Sequence, residues 1–348
     1  MKNFTKHLIL FNAPVRDALK KLDELAQNLT LFVVDNENKL LGALTDGDIR
    51  RGLLKGLNIS DSVSQFMFSQ FHYLQRNNYS ISKLNEFRSK KIKLVPVLDD
   101  EKKIIRLINF DEKKSILPID AVIMAGGRGE RLKPLTDTLP KPLIKIGNKP
   151  IIEYNIDRLV DYGVATIFIT VKYLGEKVIE HLGNGEEKGV VLNYIIETEP
   201  MGTIGSVGLI KDFSHDYVLV MNSDLLTNID YEDFFKSFIE EDADMAVASI
   251  PYNVDVPYAV LEKNQNRITL FKEKPTYTYY SNAGIYLIKR KLLDLIPIEK
   301  QFNATDFMQA LINRNLKIID FPVLGYWLDI GRMEDYNKAQ KDIKHIKF

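Results

Sequence analysis

Cysteine is absent from the 348 residues of this chain. The missing thiol excludes a disulfide framework, a thiolate metal site and a cysteine nucleophile. An excess of either charge is missing as well, because 47 lysines and arginines balance 47 aspartates and glutamates. No global field therefore draws the protein to nucleic acid or to an anionic membrane, and any anion must bind at a local cluster of cations.

Long apolar runs are also lacking. No run approaches the roughly 18 residues needed to span a bilayer, and the first seven residues lack the apolar core and cleavage site of a signal peptide. We therefore expect a cytoplasmic protein with neither a membrane nor a nucleic acid as partner. The length favours two domains, one smaller and one larger.

An internal repeat occupies the first third of the chain, at a shift of 64 positions. It places Asp35 on Asp99, Glu37 on Glu101 and Lys39 on Lys103, and each copy reads as strand, polar turn and strand. A helical pattern precedes each copy. The repeat predicts two α+β units that pack as a pair.

This layout resembles a tandem of cystathionine-β-synthase (CBS) domains over about residues 5 to 116. Residues 42–51 resemble that family's ribose-binding signature, which implies that Thr45 and Asp48 hold a regulatory nucleotide. The second copy departs from the signature at 109–112. We expect residues 1–117 to form a regulatory or dimerisation domain, and by resemblance a homodimer. The alternative is a packing module in which Asp48 caps a helix that starts near Ile49.

From Ile119 the pattern changes to apolar strands, such as Thr166–Val171 and Val191–Ile196, that alternate with helical segments, such as Ile152 to Tyr162. Such alternation predicts an α/β domain over residues 118–348, with a Rossmann-like, mostly parallel mixed sheet covered on both faces. Ligands of such sheets bind at the carboxyl ends of the strands.

A glycine-rich loop follows the first of these strands. Glycines allow the backbone to approach a phosphate, and two nearby cations supply the charge that a triphosphate requires. The loop has neither the Gly-Lys-Ser/Thr ending of a P-loop nor the third glycine of the dinucleotide fingerprint. The expected nucleotide-binding positions are Ala125, Gly126, Gly127 and Gly129, with Arg131 and Lys141 as the cations.

With Arg131 and the segment Pro140–Pro142 at this spacing, the loop resembles the signature of the sugar-phosphate nucleotidyltransferases, and the resemblance continues over about residues 119 to 348. It implies that Asp224, at the end of a strand, and Asp329 hold Mg²⁺ beside the phosphate chain. Each aspartate alone would more often cap a helix or a turn.

The same resemblance assigns residues around the acceptor. Lys274 would meet the phosphate of a sugar 1-phosphate, Glu273 and Asn282 would bind sugar hydroxyls, and Gly202 would let the backbone approach the nucleotide or the sugar. The alternative for residues 272–274 is a solvated run of charges.

The position at which related enzymes touch the nucleobase is occupied by Glu197. A carboxylate can accept from the N1–H and the amine of guanine together, whereas uracil and thymine offer a single N–H between acceptors. Glu197 therefore favours GTP, unless it lies one residue out of register or faces solvent.

These motifs predict direct attack of a sugar 1-phosphate on the α-phosphorus of the triphosphate, with pyrophosphate leaving. Arg131, Lys141 and Lys274 would provide the catalytic cations. The domain order resembles that of the glucosamine-1-phosphate guanylyltransferases of bacterial legionaminic acid synthesis. Mannose- and heptose-1-phosphate guanylyltransferases, phosphocholine cytidylyltransferases and a non-catalytic nucleotide sensor are the alternatives.

Overall fold

The computed structural model describes residues 4–25, 29–75, 81–111, 113–298 and 300–346. The chain separates into two compact units. Unit 1 contains Met1–Pro118 and Asp161–Gly163, and unit 2 contains Ile119–Val160 and Val164–Phe348. Glu112, the last residue of the divergent segment 109–112, lies outside the described residues.

Unit 1 has two three-stranded sheets, each made of one parallel and one antiparallel pair. Its strands and helices are β1 (Leu8–Leu10), α1 (Val15–Glu24), β2 (Thr30–Val34), β3 (Leu40–Thr45), α2 (Asp46–Leu54), β4 (Leu74–Gln75), α3 (Ile81–Ser89), β5 (Leu94–Leu98) and β6 (Ile104–Asn109), with 3-10 turns at Phe4–His7 and Val63–Gln65.

The two copies of the repeat form the same turn. Asp35 accepts hydrogen bonds from the amides of residues 37 and 39, both at 2.9 Å, and Asp99 accepts those of residues 101 and 103 at 3.0 and 2.8 Å. Four apolar side chains from both copies pack in one cluster, namely Phe32, Leu40, Leu98 and Ile104. The copies are therefore paired, as the repeat predicts.

Thr45 and Asp48 form a capping box at the start of α2. One oxygen of Asp48 accepts from the amide and the hydroxyl of Thr45 at 2.9 and 2.6 Å, and its other oxygen accepts from Arg51 at 2.5 Å. The helix begins at Asp46, three residues before Ile49, with Thr45 as the N-cap. Both side chains therefore have a local structural role in this conformation.

Unit 2 is built on a seven-stranded sheet in the order β11-β10-β7-β12-β17-β14-β18. Its elements are β7 (Asp120–Ala125), β8 (Lys145–Ile146), β9 (Lys149–Pro150), α4 (Ile151–Asp161), β10 (Thr166–Val171), α5 (Gly175–Leu182), β11 (Val191–Ile196), β12 (Tyr217–Asn222), β13 (Leu225–Thr227), α6 (Tyr231–Glu240), β14 (Met245–Asp255), β15 (Val260–Asn264), β16 (Arg267–Lys272), β17 (Thr276–Lys289), α7 (Ala304–Ile312), β18 (Ile318–Pro322), β19 (Trp327–Asp329) and α8 (Met333–Asp342).

Within this sheet only β17 runs antiparallel to its neighbours β12 and β14. Tyr217 and Val218 are consecutive in β12 and so point to opposite faces. Tyr217 stacks edge-on against the α6 residues Phe235 and Phe238, whereas Val218 packs in a cluster with Phe307 of α7. Helices cover both faces, and the α/β mixed sheet is confirmed.

The strands β14 and β17 continue beyond the body of the sheet as a two-stranded ribbon, and β15 and β16 form a hairpin between them. We call residues 250–282 the β-arm. Nearly all of its residues are exposed, including Tyr252 and Tyr279, which are 60% and 59% exposed. Among the described residues, no helix combines the length and the hydropathy required to cross a bilayer.

We predict that Gly52→Ala destabilises unit 1 although alanine favours a helix. Gly52 lies inside α2, and a Cβ there would meet the Phe66 ring at 2.2 Å. Displacing the ring should cost about 1–3 kcal/mol, more than the roughly 1 kcal/mol of helix propensity gained. Urea unfolding of the full-length protein measures the difference.

The matched control is Gly47→Ala in the same helix, where the new methyl would meet the guanidinium end of Arg51 at 3.3 Å and the hydroxyl of Thr45 at 3.6 Å. It should leave stability unchanged or raise it slightly. Equal stability of the two variants would contradict the packing argument.

Candidate active site

The glycine-rich loop lies at the carboxyl edge of the parallel strands. Ala125 is level with Val171 of β10, which is level with Ile196 of β11. Gly129 has a φ of 65°, and a Cβ there would lie 3.0 Å from the Cβ of Lys141. Glycine at this position therefore provides the left-handed turn and lets the Lys141 segment pack directly on the loop.

Two aspartates meet beside this loop. Leu225 pairs with Asp329 across β13 and β19, and the amide of Ile330 donates to the carbonyl of Asp224 at 3.0 Å. Lys141 forms an ion pair with one oxygen of Asp224. The other carboxylate oxygen of Asp224 and one oxygen of Asp329 are buried without a hydrogen-bond partner.

The charges around Asp329 oppose one another. Burial and, after it, the nearby charge of Asp224 raise the pKa of Asp329 to about 6, against the opposite effects of Lys141 and Arg131. Arg131 and Asp329 both lie next to Gly331. A Cβ built on Gly331 would lie 3.6 Å from a guanidinium nitrogen of Arg131 and 3.6 Å from a carboxylate oxygen of Asp329. The structure thus brings together Arg131, Lys141, Asp224 and Asp329, four of the residues expected from the sequence.

The aspartate pair fits a divalent cation. Its two buried oxygens lack donors, and hard cations such as Mg²⁺ bind oxygen ligands. No group of three or more His, Asp or Glu side chains is arranged to bind a metal within the described part of the chain. Asp224 and Asp329 would therefore hold the ion together with oxygens of a bound phosphate and water.

Glu197 lies against the glycine-rich loop. It follows β11, and its amide donates to the carbonyl of Val171 at 2.9 Å. A Cβ on Gly126 would meet the Glu197 carboxylate at 2.9 Å, whereas a Cβ on Gly127 would meet nothing within 4 Å. The carboxylate therefore faces the loop, and Gly126 leaves the space that it occupies.

Gly202 is required by packing next to the start of α7. Its φ is 76°, and a Cβ there would lie 2.6 Å from the carbonyl oxygen of Phe302. The adjacent Thr203 accepts from the amide of Ala304 at 2.8 Å, and its own amide donates to Asn303 at 3.2 Å. The loop that carries Gly202 is thereby fixed to the N-terminal end of α7.

Asn282 lies at the same edge of the sheet as the aspartates. Its amide donates to the hydroxyl of Tyr286 at 2.8 Å and accepts from the amide of Gly284 at 2.9 Å. A Cβ on Gly284 would lie 2.6 Å from the side-chain nitrogen of Asn222. The indole of Trp327, two residues before Asp329, donates to the carbonyl of residue 283 at 2.9 Å.

Glu273 and Lys274 are exposed on the β-arm, where Lys274 has a positive φ of 42°. Within the described residues, no hydrogen bond or ion pair joins either side chain to Arg131, Lys141 or the two aspartates. The neighbouring Lys272 pairs with Glu262 of the same hairpin at 3.0 Å. The structure therefore leaves this part of the expected acceptor site apart from the buried cluster.

Sequence reasoning missed Arg332. Its side chain and that of Arg131 line one cavity of about 350 Å³, together with Met333 and Glu334 at the start of α8. The signal in the sequence is its position three residues after Asp329, but the proximity to Arg131 depends on the tertiary fold.

Comparison with known proteins gives two family matches. Residues 120–346 match the nucleotidyl transferase family, and residues 9–55 match the CBS domain. A mannose-1-phosphate guanyltransferase of Yarrowia lipolytica is 33% identical over 223 residues, which cover 62% of this chain and 61% of the relative. This chain thus spans about three fifths of the length of that protein.

Other relatives are matched over nearly their full length. A D-glycero-alpha-D-manno-heptose 1-phosphate guanylyltransferase of Aneurinibacillus thermoaerophilus is 30% identical over 65% of this chain and 99% of the relative. The crystal structure of HddC from Yersinia pseudotuberculosis is 29% identical, with a TM-score of 0.52 over 64% of this chain and 99% of that one. A second HddC structure, complexed with GMP-PN, is 28% identical over 64% and 99%, with a TM-score of 0.50.

We predict that Asp329→Asn raises the stability of the metal-free protein. The change removes one of two like charges that share a poorly solvated site, and an amide can donate to Asp224. A gain of about 1 kcal/mol would raise the Tm by about 2–4 °C. Thermal unfolding in a chelator measures it.

We expect Mg²⁺ or Mn²⁺ to raise the Tm of the unmodified protein, and the same variant should lose that increase because one of the two proposed ligands is gone. Asp212→Asn, at an exposed position away from the pair, serves as the control and should keep that increase. A less stable Asp329→Asn variant, or one that still responds fully to the cations, would contradict the assignment.

Proposed function

Since this chain belongs to the nucleotidyl transferase family, we propose that it is a sugar-1-phosphate guanylyltransferase. It transfers a guanylyl group from GTP to a sugar 1-phosphate and releases pyrophosphate. The observation that carries the proposal is the buried pair Asp224 and Asp329, with Arg131 and Lys141 beside it at the mouth of the glycine-rich loop.

In the reaction, an oxygen of the sugar 1-phosphate forms a bond to the α-phosphorus of GTP, and the bond from that phosphorus to the pyrophosphate oxygen breaks. The nucleophile is already an anion, so the protein has to screen two negative reactants and hold them in line. Mg²⁺ bound by Asp224 and Asp329 would supply further screening of the phosphate oxygens.

Three cations of the chain divide this task. Arg131, over the turn at Gly331, balances charge on the departing pyrophosphate, and Lys141 neutralises the phosphates of the nucleotide. Lys274 reaches the phosphate of the sugar from the β-arm. Glu273, next to it, and Asn282 bind hydroxyls of the sugar.

The nucleotide lies over Ala125, Gly126, Gly127 and Gly129, with Glu197 as the ligand of the base. Glu197 accepts from the N1–H and the exocyclic amine of guanine, the two donors on one edge that a carboxylate requires. The guanylyltransferase names of several relatives and the HddC complex with GMP-PN support this choice of base.

Glucosamine 1-phosphate is the acceptor that we propose, by the likeness of the domain order to glucosamine-1-phosphate guanylyltransferases of legionaminic acid synthesis. Mannose 1-phosphate and a heptose 1-phosphate, named for the relatives, are the competing acceptors. The CBS pair in residues 1–117 is proposed as a regulatory or dimerisation domain of a homodimer, and a nucleotide at Thr45 and Asp48 would displace their capping contacts.

Pyrophosphate release tests this function. The purified protein is given Mg²⁺ and GTP, UTP, CTP, dTTP or ATP in combination with each of the three sugar 1-phosphates. Turnover should be confined to GTP and highest with glucosamine 1-phosphate. Asp224→Asn should fold normally and lose turnover. If the unmodified protein releases no pyrophosphate in any combination, the proposal is overturned.

Glu197→Gln is expected to lower kcat/KM for GTP by about 10- to 100-fold, because a charge-assisted contact with guanine contributes roughly 1.5–3 kcal/mol. The amide also donates, so it should raise the relative use of UTP. Steady-state kinetics with both nucleotides measures the ratio. An unchanged preference for GTP over UTP would show that a group other than Glu197 determines which base is bound.

Gly126→Ala should reproduce part of that loss by displacing the Glu197 carboxylate, which lies 2.9 Å from the position of the new methyl group. We expect the KM for GTP to rise and the preference for guanine to fall. Gly127→Ala, whose methyl meets nothing within 4 Å, is the control for added bulk in the loop. The same effect in both variants would contradict a specific role of the Gly126–Glu197 contact.

A further inference from the structure

A second cavity, of about 710 Å³, opens beside Asn282. Its apolar lining includes Val247, Met308 and Ile318, and its polar lining includes Ser249, Asn282 and Asp320. Apolar surface with a few converging polar groups is typical of small-molecule sites. The volume suits one sugar ring with its phosphate.

Ser249 is the strongest indication that the cavity binds a polar ligand. The residue is 3% exposed, and its hydroxyl has no hydrogen-bond partner. A buried hydroxyl that is left unpaired is energetically unfavourable. A ligand hydroxyl in the cavity would satisfy it.

The sheet register joins Ser249 to the candidate active site. Ser249 lies directly opposite Asn282 across β14 and β17, so both side chains point to the same face. The register shifts between residues 247 and 249, and Gly284, with its positive φ, lies in the corresponding part of β17. Such irregularities often re-aim side chains next to active sites.

Asp320 gives the cavity its charge. It is level with Val247 in the parallel pair of β18 and β14. Among the described residues that line the cavity, only Asp320 is charged, and no ion pair there neutralises it. An unpaired carboxylate beside bound hydroxyls suits an ammonium group, which forms a charge-assisted hydrogen bond.

We propose that this cavity is the acceptor subsite, with Ser249 binding a sugar hydroxyl and Asp320 selecting an amino sugar over a neutral one. The inference rests on the proposed guanylyl transfer and adds the residues that decide between acceptors. Glucosamine 1-phosphate carries an ammonium at C2 near neutral pH, whereas mannose 1-phosphate carries a hydroxyl there. The preference for glucosamine 1-phosphate over mannose 1-phosphate then comes from the Asp320 carboxylate.

The test compares the full-length protein with Ser249→Ala, Asp320→Asn and the control Asp212→Asn, with both sugar phosphates. Ser249→Ala should raise the KM for the sugar phosphate about tenfold and leave the KM for GTP unchanged. Asp320→Asn should lower kcat/KM for glucosamine 1-phosphate by at least tenfold and leave that for mannose 1-phosphate unchanged. The control should match the unmodified protein.

A calorimetric titration gives a readout without turnover. Glucosamine 1-phosphate is added in the presence of the unreactive analogue guanosine 5′-(α,β-methylene)triphosphate, and both cavity variants should weaken its binding about tenfold. Unchanged binding and kinetics in both variants would overturn the cavity as acceptor subsite. Equal losses with both sugars in Asp320→Asn would overturn the selection of an amino group.

The measurements distinguish a failure of the proposed guanylyl transfer from a failure of the acceptor role of Ser249 and Asp320. If the unmodified protein transfers nothing to any of the three sugar 1-phosphates, guanylyl transfer itself is overturned, and the acceptor assignment is overturned with it. If the unmodified protein is active and the variants behave like it, only the assignment of Ser249 and Asp320 falls.

Discussion

The repulsion between Asp224 and Asp329 is the interaction on which the rest of the site depends. Both carboxylates have a buried oxygen without a partner, and the charge of Asp224 disfavours ionisation of Asp329. The scaffold keeps them together through the short pairing of β13 with β19 and through the ion pair with Lys141. Such a cluster is costly in an empty site and favourable once a cation binds, which is typical of sites built for function.

Glycines allow close packing at and around the aspartate pair. At Gly129, Gly126 and Gly284 a side chain would collide with Lys141, Glu197 and Asn222 respectively. Each glycine therefore allows close packing of its neighbours. The loop is held against its neighbours, so its geometry is set before a nucleotide arrives, and preorganised groups lose little entropy on binding.

The parallel strands could be predicted well from sequence, because strands buried on both faces read as short apolar runs. The segments expected at Thr166–Val171 and Val191–Ile196 are the strands observed. The helix expected from Ile152 to Tyr162 lies at Ile151–Asp161. The apolar pattern was sufficient for β10, which is buried from Ile167 to Val171, and also for the edge strand β11, in which only Leu192 is buried.

Residues of the candidate site could be predicted from sequence where their motifs lie at the rigid carboxyl edge of the sheet. Arg131, Lys141, Asp224 and Asp329 lie together, and Glu197 lies at the loop. The position of Ser249 opposite Asn282 depends on a register shift in β17 that no local pattern encodes. The contacts of Thr45 and Asp48 show a related limit, since a capping box and a ribose-binding pair require the same residue types.

The two halves of the site are held to different degrees. The nucleotide half is anchored by buried strands and by short contacts between loops, whereas Glu273 and Lys274 lie on the exposed β-arm. In the ribbon of β14 and β17, Tyr252 is level with Tyr279 and Val254 with Tyr277, so one face is apolar. The opposite face joins Asn253 to Thr278 and Asp255 to Thr276 by hydrogen bonds of 2.9 and 2.6 Å.

A ribbon with one apolar and one polar face is the pattern of an antiparallel sheet packed on one side. The cross-strand pairs fix its register, but burial contributes little to its position because its large side chains are exposed. Segments with few buried contacts open at low free energy. If the proposed function holds, the rigid edge of the sheet would set recognition of the nucleotide, and alignment of the acceptor phosphate would depend on where the β-arm places Lys274.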